Sequence, residues 1–209
     1  MHLLNNLQWR YATKQFDPTK KIPDAALKSI LEAVQLSASS FGLQLYKVIS
    51  VEDKEVRKRL RAASWDQSQI TDASHLIVFC NYSEVSDKHI DEYFELKSEY
   101  HGIQQSDLKG YSDFIKANVS SKSLEERNIW TAKQTYLALG NLLNACAELK
   151  IDSCPMEGFD SFAYNDVLGI KEEGLNAAVI ATIGYRSNED TSQNLPKIRK
   201  PLNRLFQVI

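Results

Sequence analysis

The chain has 209 residues, 43% hydrophobic and 25% charged, with a formal net charge of −2. That balance excludes a disordered chain and fits one globular domain over 1–209 with enough apolar residues for a core. It gives no global attraction to nucleic acid or to an anionic membrane, and no stretch reaches the ~18 apolar residues that span a bilayer.

The start lacks a charged segment followed by an apolar run, so a soluble, cytoplasmic protein is expected. Cys80, Cys146 and Cys154 form no Cys-x-x-Cys pair and no Cys/His spacing for zinc, which predicts free thiols and no metal site.

Leu3, Leu4, Leu7 and Tyr11 recur at helical spacing and predict an amphipathic first helix ending near Arg10 and Lys14. That basic pair is spaced i, i+4, so on a helix or its last turn both side chains project towards one object, which should be anionic. Pro23 and Asp24 open a second helix with the stripe Leu27, Ile30, Leu31, Val34. The serine-rich loop 37–42 that follows either offers hydroxyls and N–H groups to a cofactor or simply ends the helix. Strands are predicted at 46–51 and 75–80 with a helix at 53–64 between them, an α/β layer. The stretch 65–75 is largely polar apart from Trp65, and His75, with no second histidine at ligand spacing, reads as a packed residue.

Residues 86–118 read as two exposed helices broken at Gly102 and Gly110, with Tyr111 and Phe114 available as a lid. The longest helix, 123–149, opens with the capping box Ser123-Leu124-Glu125-Glu126. Its second half is apolar on most faces, so it is either the central core helix or also packs on a second subunit, with Gly140 permitting close approach. A short extended piece at 151–154 leads to a tight corner at 154–159, a small helix from Asp160 to Gly169, and a central strand at 175–185. Near the end, Lys197 and Arg199 lie between Pro196 and Pro201, where extended backbone puts alternate side chains on one face. If this segment meets Arg10 and Lys14, the two make a phosphate clamp. The tail 205–209 alternates like an edge strand.

Arg-x-x-x-Lys-x-Phe-Asp at 10–17, Asp-Ala-Ser-His at 72–75, Pro-x-Glu-Gly-Phe at 155–159 and Leu-Pro-Lys-x-Arg at 195–199 together resemble the bacterial oxygen-insensitive nitroreductase family. The resemblance covers nearly the whole chain. It implies an α+β sandwich with a central, mostly antiparallel sheet flanked by helices, and a long buried helix at a homodimer interface where the cofactor sits. It also implies bound FMN, NADH or NADPH as electron donor, and two-electron ping-pong transfer to small acceptors such as nitroaromatics or quinones. The alternative is a flavin-binding or flavin-handling protein without efficient reductase activity. No Gly-x-Gly-x-x-Gly fingerprint is needed if the nicotinamide stacks on the flavin.

Carried over onto these positions, the family assigns the flavin phosphate to Arg10, Lys197 and Arg199, and the N1/O2 edge to Lys14. It assigns N5 to a backbone N–H of the Glu157-Gly158 corner, so Lys14, Glu157 and Gly158 stand nearest the chemistry. Tyr11, Ala12, Pro155 and Met156 complete the wall, with Ser39 and Ser40 reaching the flavin from the neighbouring subunit. Phe41, Trp65, Tyr111 and Phe114 are the substrate-side candidates. The sequence departs from the family where Asn is usual near Gly42, where Pro-Trp usually stands at Leu45-Tyr46, and at Asp66, usually Asn. A carboxylate at Asp66 would oppose an anionic reduced flavin, so Gln67 or Gln69 is expected to take over that hydrogen bond while Asp66 faces solvent.

Overall fold

The apolar runs build a four-stranded sheet in the computed structural model, which describes residues 2–209. Its strands are β1 (Tyr46–Val51), β2 (His75–Tyr82), β3 (Asp152–Met156) and β4 (Leu175–Gly184), ordered β1-β2-β4-β3 with every pairing antiparallel. The helices are α1 (His2–Trp9), α2 (Asp24–Gln35), α3 (Lys54–Ala62), α4 (Gln69–Asp72), α5 (Asp87–His101), α6 (Gln105–Ser120), α7 (Leu124–Glu148), α8 (Ser161–Leu168) and α9 (Leu202–Leu205).

Alternation along β2 decides the layers. Leu76, Val78 and Cys80 face a core shared with Leu60 of α3, Ile70 of α4 and Tyr164 of α8. Ile77 and Phe79 face the opposite core, with Ile30 and Val34 of α2 and Leu139 and Leu142 of α7. A strand buried on both faces reads as a continuous apolar run, which is why β2 and β4 are legible in the sequence. A third cluster joins Leu43 and Leu45 to Ile90 and Phe94 of α5 and Ile115 of α6.

The predicted capping box starts α7: the Ser123 N–H donates to Glu126 Oε2 at 2.7 Å and the Glu126 N–H to Ser123 Oγ at 3.2 Å. The inner side of α7 is buried, while Ile129, Tyr136 and Leu137 on its outer side are 48%, 43% and 52% exposed. Among the described residues, nothing beyond the backbone of α7 itself and the adjoining residues comes within 4 Å of the position a Cβ would take at Gly140.

Four expectations need correction. The first helix does end beside Arg10, at Trp9, but the chain then lies along the outer edge of β3, with Ala12 bridged in parallel to Ser153 and the Thr13 N–H donating to the Ser153 carbonyl at 3.4 Å. Arg10 and Lys14 therefore lie beyond the helix and share no helical face. Gly102 does end α5, at φ 65°, but Gly110 lies inside α6, where the packing of Leu108, Ile115 and Val119 outweighs the ~1 kcal/mol helix cost of glycine. Pro155 and Met156 belong to strand β3 rather than to the corner; β3 is an edge strand, where proline's missing N–H is tolerated. The last residues form α9 followed by irregular chain and pair with no strand of this chain, although β1 keeps an unpaired outer edge. Among the described residues no helix is long and apolar enough to cross a membrane.

Candidate functional site

The segment after α1 is tied down from beneath by residues of the other chain end. Phe16 bridges Arg186, the Asp17 N–H donates to the Tyr185 carbonyl at 2.8 Å, and the Ser187 N–H donates to the Gln15 carbonyl at 2.9 Å. Asp190, 1% exposed, accepts from the N–H groups of Lys14 (2.8 Å), Gln15 (3.2 Å) and Ser192 (3.0 Å) and from the Tyr11 hydroxyl (2.9 Å). Burial opposes its ionised form, but these four donors outweigh burial and hold the carboxyl below its ordinary range. Burial and the bond to Asp190 push the Tyr11 hydroxyl up. Arg186 completes the support, pairing with Asp152 (Nε to Oδ1, 2.7 Å) and stacking its guanidinium 4.6 Å from the ring centres of both Trp9 and Tyr11.

Held this way, Arg10, Tyr11, Ala12, Pro155, Lys197 and Arg199 line one cavity of about 510 Å³. The Lys197 ammonium donates to the Leu7 carbonyl at 2.6 Å and to the Arg10 carbonyl, fastening the C-terminal arm to the end of α1. Arg10 Nε is enclosed by protein and has no hydrogen-bond partner. Burial first, then Arg199, disfavours the charge of Arg10; burial, Arg10 and Arg199 do the same to Lys197. Among the described residues none of these three cations has a carboxylate within ion-pair distance. An anion in the cavity would relieve every one of these costs. Lys14 stands exposed just outside the lining.

Next to the cavity, β3 ends at the Glu157-Gly158 corner. A Cβ on Gly158 would lie 2.5 Å from Cζ3 of Trp65, so only glycine admits that ring. Gln67 Nε2 donates to the Gly158 carbonyl at 2.8 Å. Trp65 and Asp66 both adopt left-handed backbone, φ 50° and 57°, and the Asp66 carboxylate turns away to Arg61 at 2.7 Å, with its side chain 82% exposed. Of the two candidate amides, Gln67 touches the corner, whereas Gln69 is buried at the start of α4. Met156 turns its side chain into the core beside Thr182, leaving its backbone to the wall. The Tyr136 hydroxyl donates to Glu157 Oε1, and burial together with that carboxylate pushes it up to about 12.

The remaining candidates lie elsewhere in the chain. Ser40 donates its N–H to Gln134 Oε1 on α7 at 2.8 Å, Ser39 Oγ accepts from the Gln44 N–H at 2.9 Å, and Phe41 packs edge-on against Trp130 at 6.4 Å. Tyr111 and Phe114 stack at 6.3 Å on the exposed side of α6. None of these five lines the cavity between the chain ends.

A profile described as the nitroreductase family matches residues 7–185. The oxygen-insensitive NAD(P)H nitroreductase of Salmonella typhimurium is 31% identical over 201 residues, covering 92% of this chain and 93% of that one. The chain belongs to the nitroreductase family. A Staphylococcus epidermidis relative described as an NAD(P)H nitroreductase is 34% identical over 196 residues, covering 90% of this chain and 89% of its own. Among solved structures, an Exiguobacterium sibiricum protein described as a nitroreductase and crystallised in complex with FMN shares the fold. Its TM-score is 0.84 at 16% identity, with 99% of this chain and 97% of that one covered.

Within this nitroreductase fold, sequence reasoning missed Asp190 and Tyr136. Asp190 carried a signal, since an Asp before Thr-Ser is a cap-like turn, and its side chain does accept from the Ser192 N–H. Tyr136 carried none beyond its place on an apolar helix.

Proposed function

We propose that this chain is an FMN-dependent NAD(P)H oxidoreductase that passes two electrons at a time, by ping-pong exchange, to nitroaromatics or quinones. The carrying observation is Arg10: a half-buried arginine whose enclosed Nε has no partner, sharing a cavity with two further cations and with Pro155, three residues before a glycine corner. That donor set fits a phosphate monoester attached to a flat ring system, and a protein of the same fold holds FMN. When bound, the flavin supplies hydride acceptance and donation.

The chain's own residues position and exclude. Arg10 and Arg199 present guanidinium forks to the phosphate, each charge-assisted bond worth roughly 1.5–3 kcal/mol. Lys197 adds charge from an ammonium already anchored on two carbonyls. With the flavin bound, Lys14 would offer a cation and Gln67 an amide to its pyrimidine edge, and a backbone N–H of the Glu157-Gly158 corner would be available to its central ring nitrogen, while Tyr136 holds the Glu157 carboxylate. Trp65 covers the corner, and Phe41, Tyr111 and Phe114 supply flat apolar walls for a planar acceptor.

A second copy of the chain brings some of these walls. Ile129, Tyr136 and Leu137 on α7, and Ile198, Leu202 and Phe206 in the tail, are exposed apolar side chains that a homodimer would cover. The test is the visible absorbance of the purified protein before and after anaerobic addition of NADH or NADPH. A flavin double band that bleaches and returns with a quinone is expected. A band that persists with both nucleotides reduces the reading to a flavin-binding protein, and a colourless protein that takes up no added FMN overturns it.

A further inference from the structure

Arg57 on α3 is 4% exposed, and among the described residues it has no carboxylate within ion-pair distance. Its guanidinium donates from Nε to the Ile70 carbonyl (2.7 Å), from Nη1 to the Ser74 carbonyl (3.1 Å) and from Nη2 to the Ala73 carbonyl (2.7 Å). A guanidinium carries about five N–H donors, so some remain available. Arg57 lines a cavity of about 420 Å³ with Lys21, Lys54 and His75, and this cavity shares no lining residue with the one between the chain ends.

Cations outnumber carboxylates on this wall, although Asp72 nearby favours the charge of Arg57. Burial, then Arg57, then Lys54 all disfavour the charge of Lys21, and no carboxylate offsets them. Lys58, also on the wall, is already engaged by Glu55 at 2.8 Å. Glu52, the one carboxylate of the lining, acts on His75, whose ring is half-buried with Nδ1 3.0 Å from Ser74 Oγ. The pattern resembles that of Arg10, Lys197 and Arg199: an arginine with an enclosed guanidinium nitrogen and two further cations, including a lysine whose charge both neighbours oppose.

We propose that Lys21, Lys54 and Arg57 form a second anion site, which takes the phosphate group of a small phosphorylated molecule. Three cations around one opening favour a dianion over a carboxylate. The cavity exceeds a bare phosphate, and Pro18 with the lysine stems gives an apolar wall for the rest of the molecule. The site stands independently of the flavin reading.

Calorimetric titration of the flavin-loaded protein with adenosine 5′-monophosphate, inorganic phosphate and adenosine tests it. Saturable 1:1 binding of the monophosphate is expected, with adenosine silent and Lys21→Ala or Lys54→Ala each weakening binding about tenfold or more. Tighter binding of the monophosphate than of phosphate identifies an organic phosphate; equal binding identifies free phosphate. No saturable binding, adenosine binding as well as its monophosphate, or loss of binding in Lys197→Ala rather than in Lys21→Ala would each overturn the proposal. Should the protein take up no flavin, the same titrations on a Lys197→Ala background read the second site alone.

Discussion

Removing the Asp190 carboxylate tests whether the two chain ends are held together from beneath. Asp190→Ala deprives the Lys14, Gln15 and Ser192 N–H groups and the Tyr11 hydroxyl of their shared acceptor. An orphaned buried donor costs roughly 1–3 kcal/mol. Lys14 and Gln15 are exposed residues whose amides can regain water, so the expected loss is about 3 kcal/mol rather than the sum of four such terms. For a chain of this size that corresponds to roughly 6–12 °C in melting temperature. Asp190→Asn should lose as much, because half of its acceptor pair becomes an N–H facing other N–H groups. Urea unfolding at neutral pH gives the difference directly. The sign with pH follows from the depressed folded value. The carboxylate's contribution is complete above the unfolded carboxyl value of ~3.9 and is lost as pH falls through the lower folded value. The gap between wild type and variant should therefore close in acid. A gap under about 1 kcal/mol at neutral pH, or one unchanged down to strongly acidic pH, would refute the reasoning.

Gly158→Ala should leave fold stability within about 1 kcal/mol, since the clashing Trp65 ring is 72% exposed and can swing out; flavin retention should fall, and a variant that purifies with a full visible band would contradict that. Asp66→Gly releases a left-handed backbone strain of roughly 1–2 kcal/mol and gives up an exposed ion pair worth about 0–1 kcal/mol, so a neutral to slightly stabilising denaturant shift is expected. A clear loss of stability would show that the Arg61 pair carries more than an exposed pair should. Asp152→Asn leaves the Arg186 guanidinium without its 5% exposed partner and should cost about 3–5 kcal/mol in urea unfolding. A loss near zero would mean that Trp9 and Tyr11 alone hold Arg186.

Elements whose stability is local or whose burial is two-sided were legible in the sequence. The α7 capping box lies within four consecutive residues, and β2 and β4 announce their burial by continuous apolar runs. The course of 10–14 was not legible, because Tyr11 continues the apolar spacing of α1 while the amide after Ala12 is claimed by Ser153 on a strand far along the chain. Asp190 beneath Tyr11, Tyr136 on Glu157 and Trp65 against Gly158 are likewise tertiary meetings with no local pattern. The alternation of the last five residues is real in sequence, but alternation alone does not choose an edge, and here the segment pairs with no strand of its own chain although β1 has an open side.

The bonds that close the cavity between the chain ends join residues 176 apart, Lys14 to Asp190, and 190 apart, Leu7 to Lys197. The sheet closes through β1 to β4 and uses none of these residues, so a ligand held by the arm adds stability only to chains with the arm in place. A protease that clips the exposed arm would leave a folded core without Lys197 and Arg199, two of the three proposed phosphate ligands, so loss of colour should precede loss of fold.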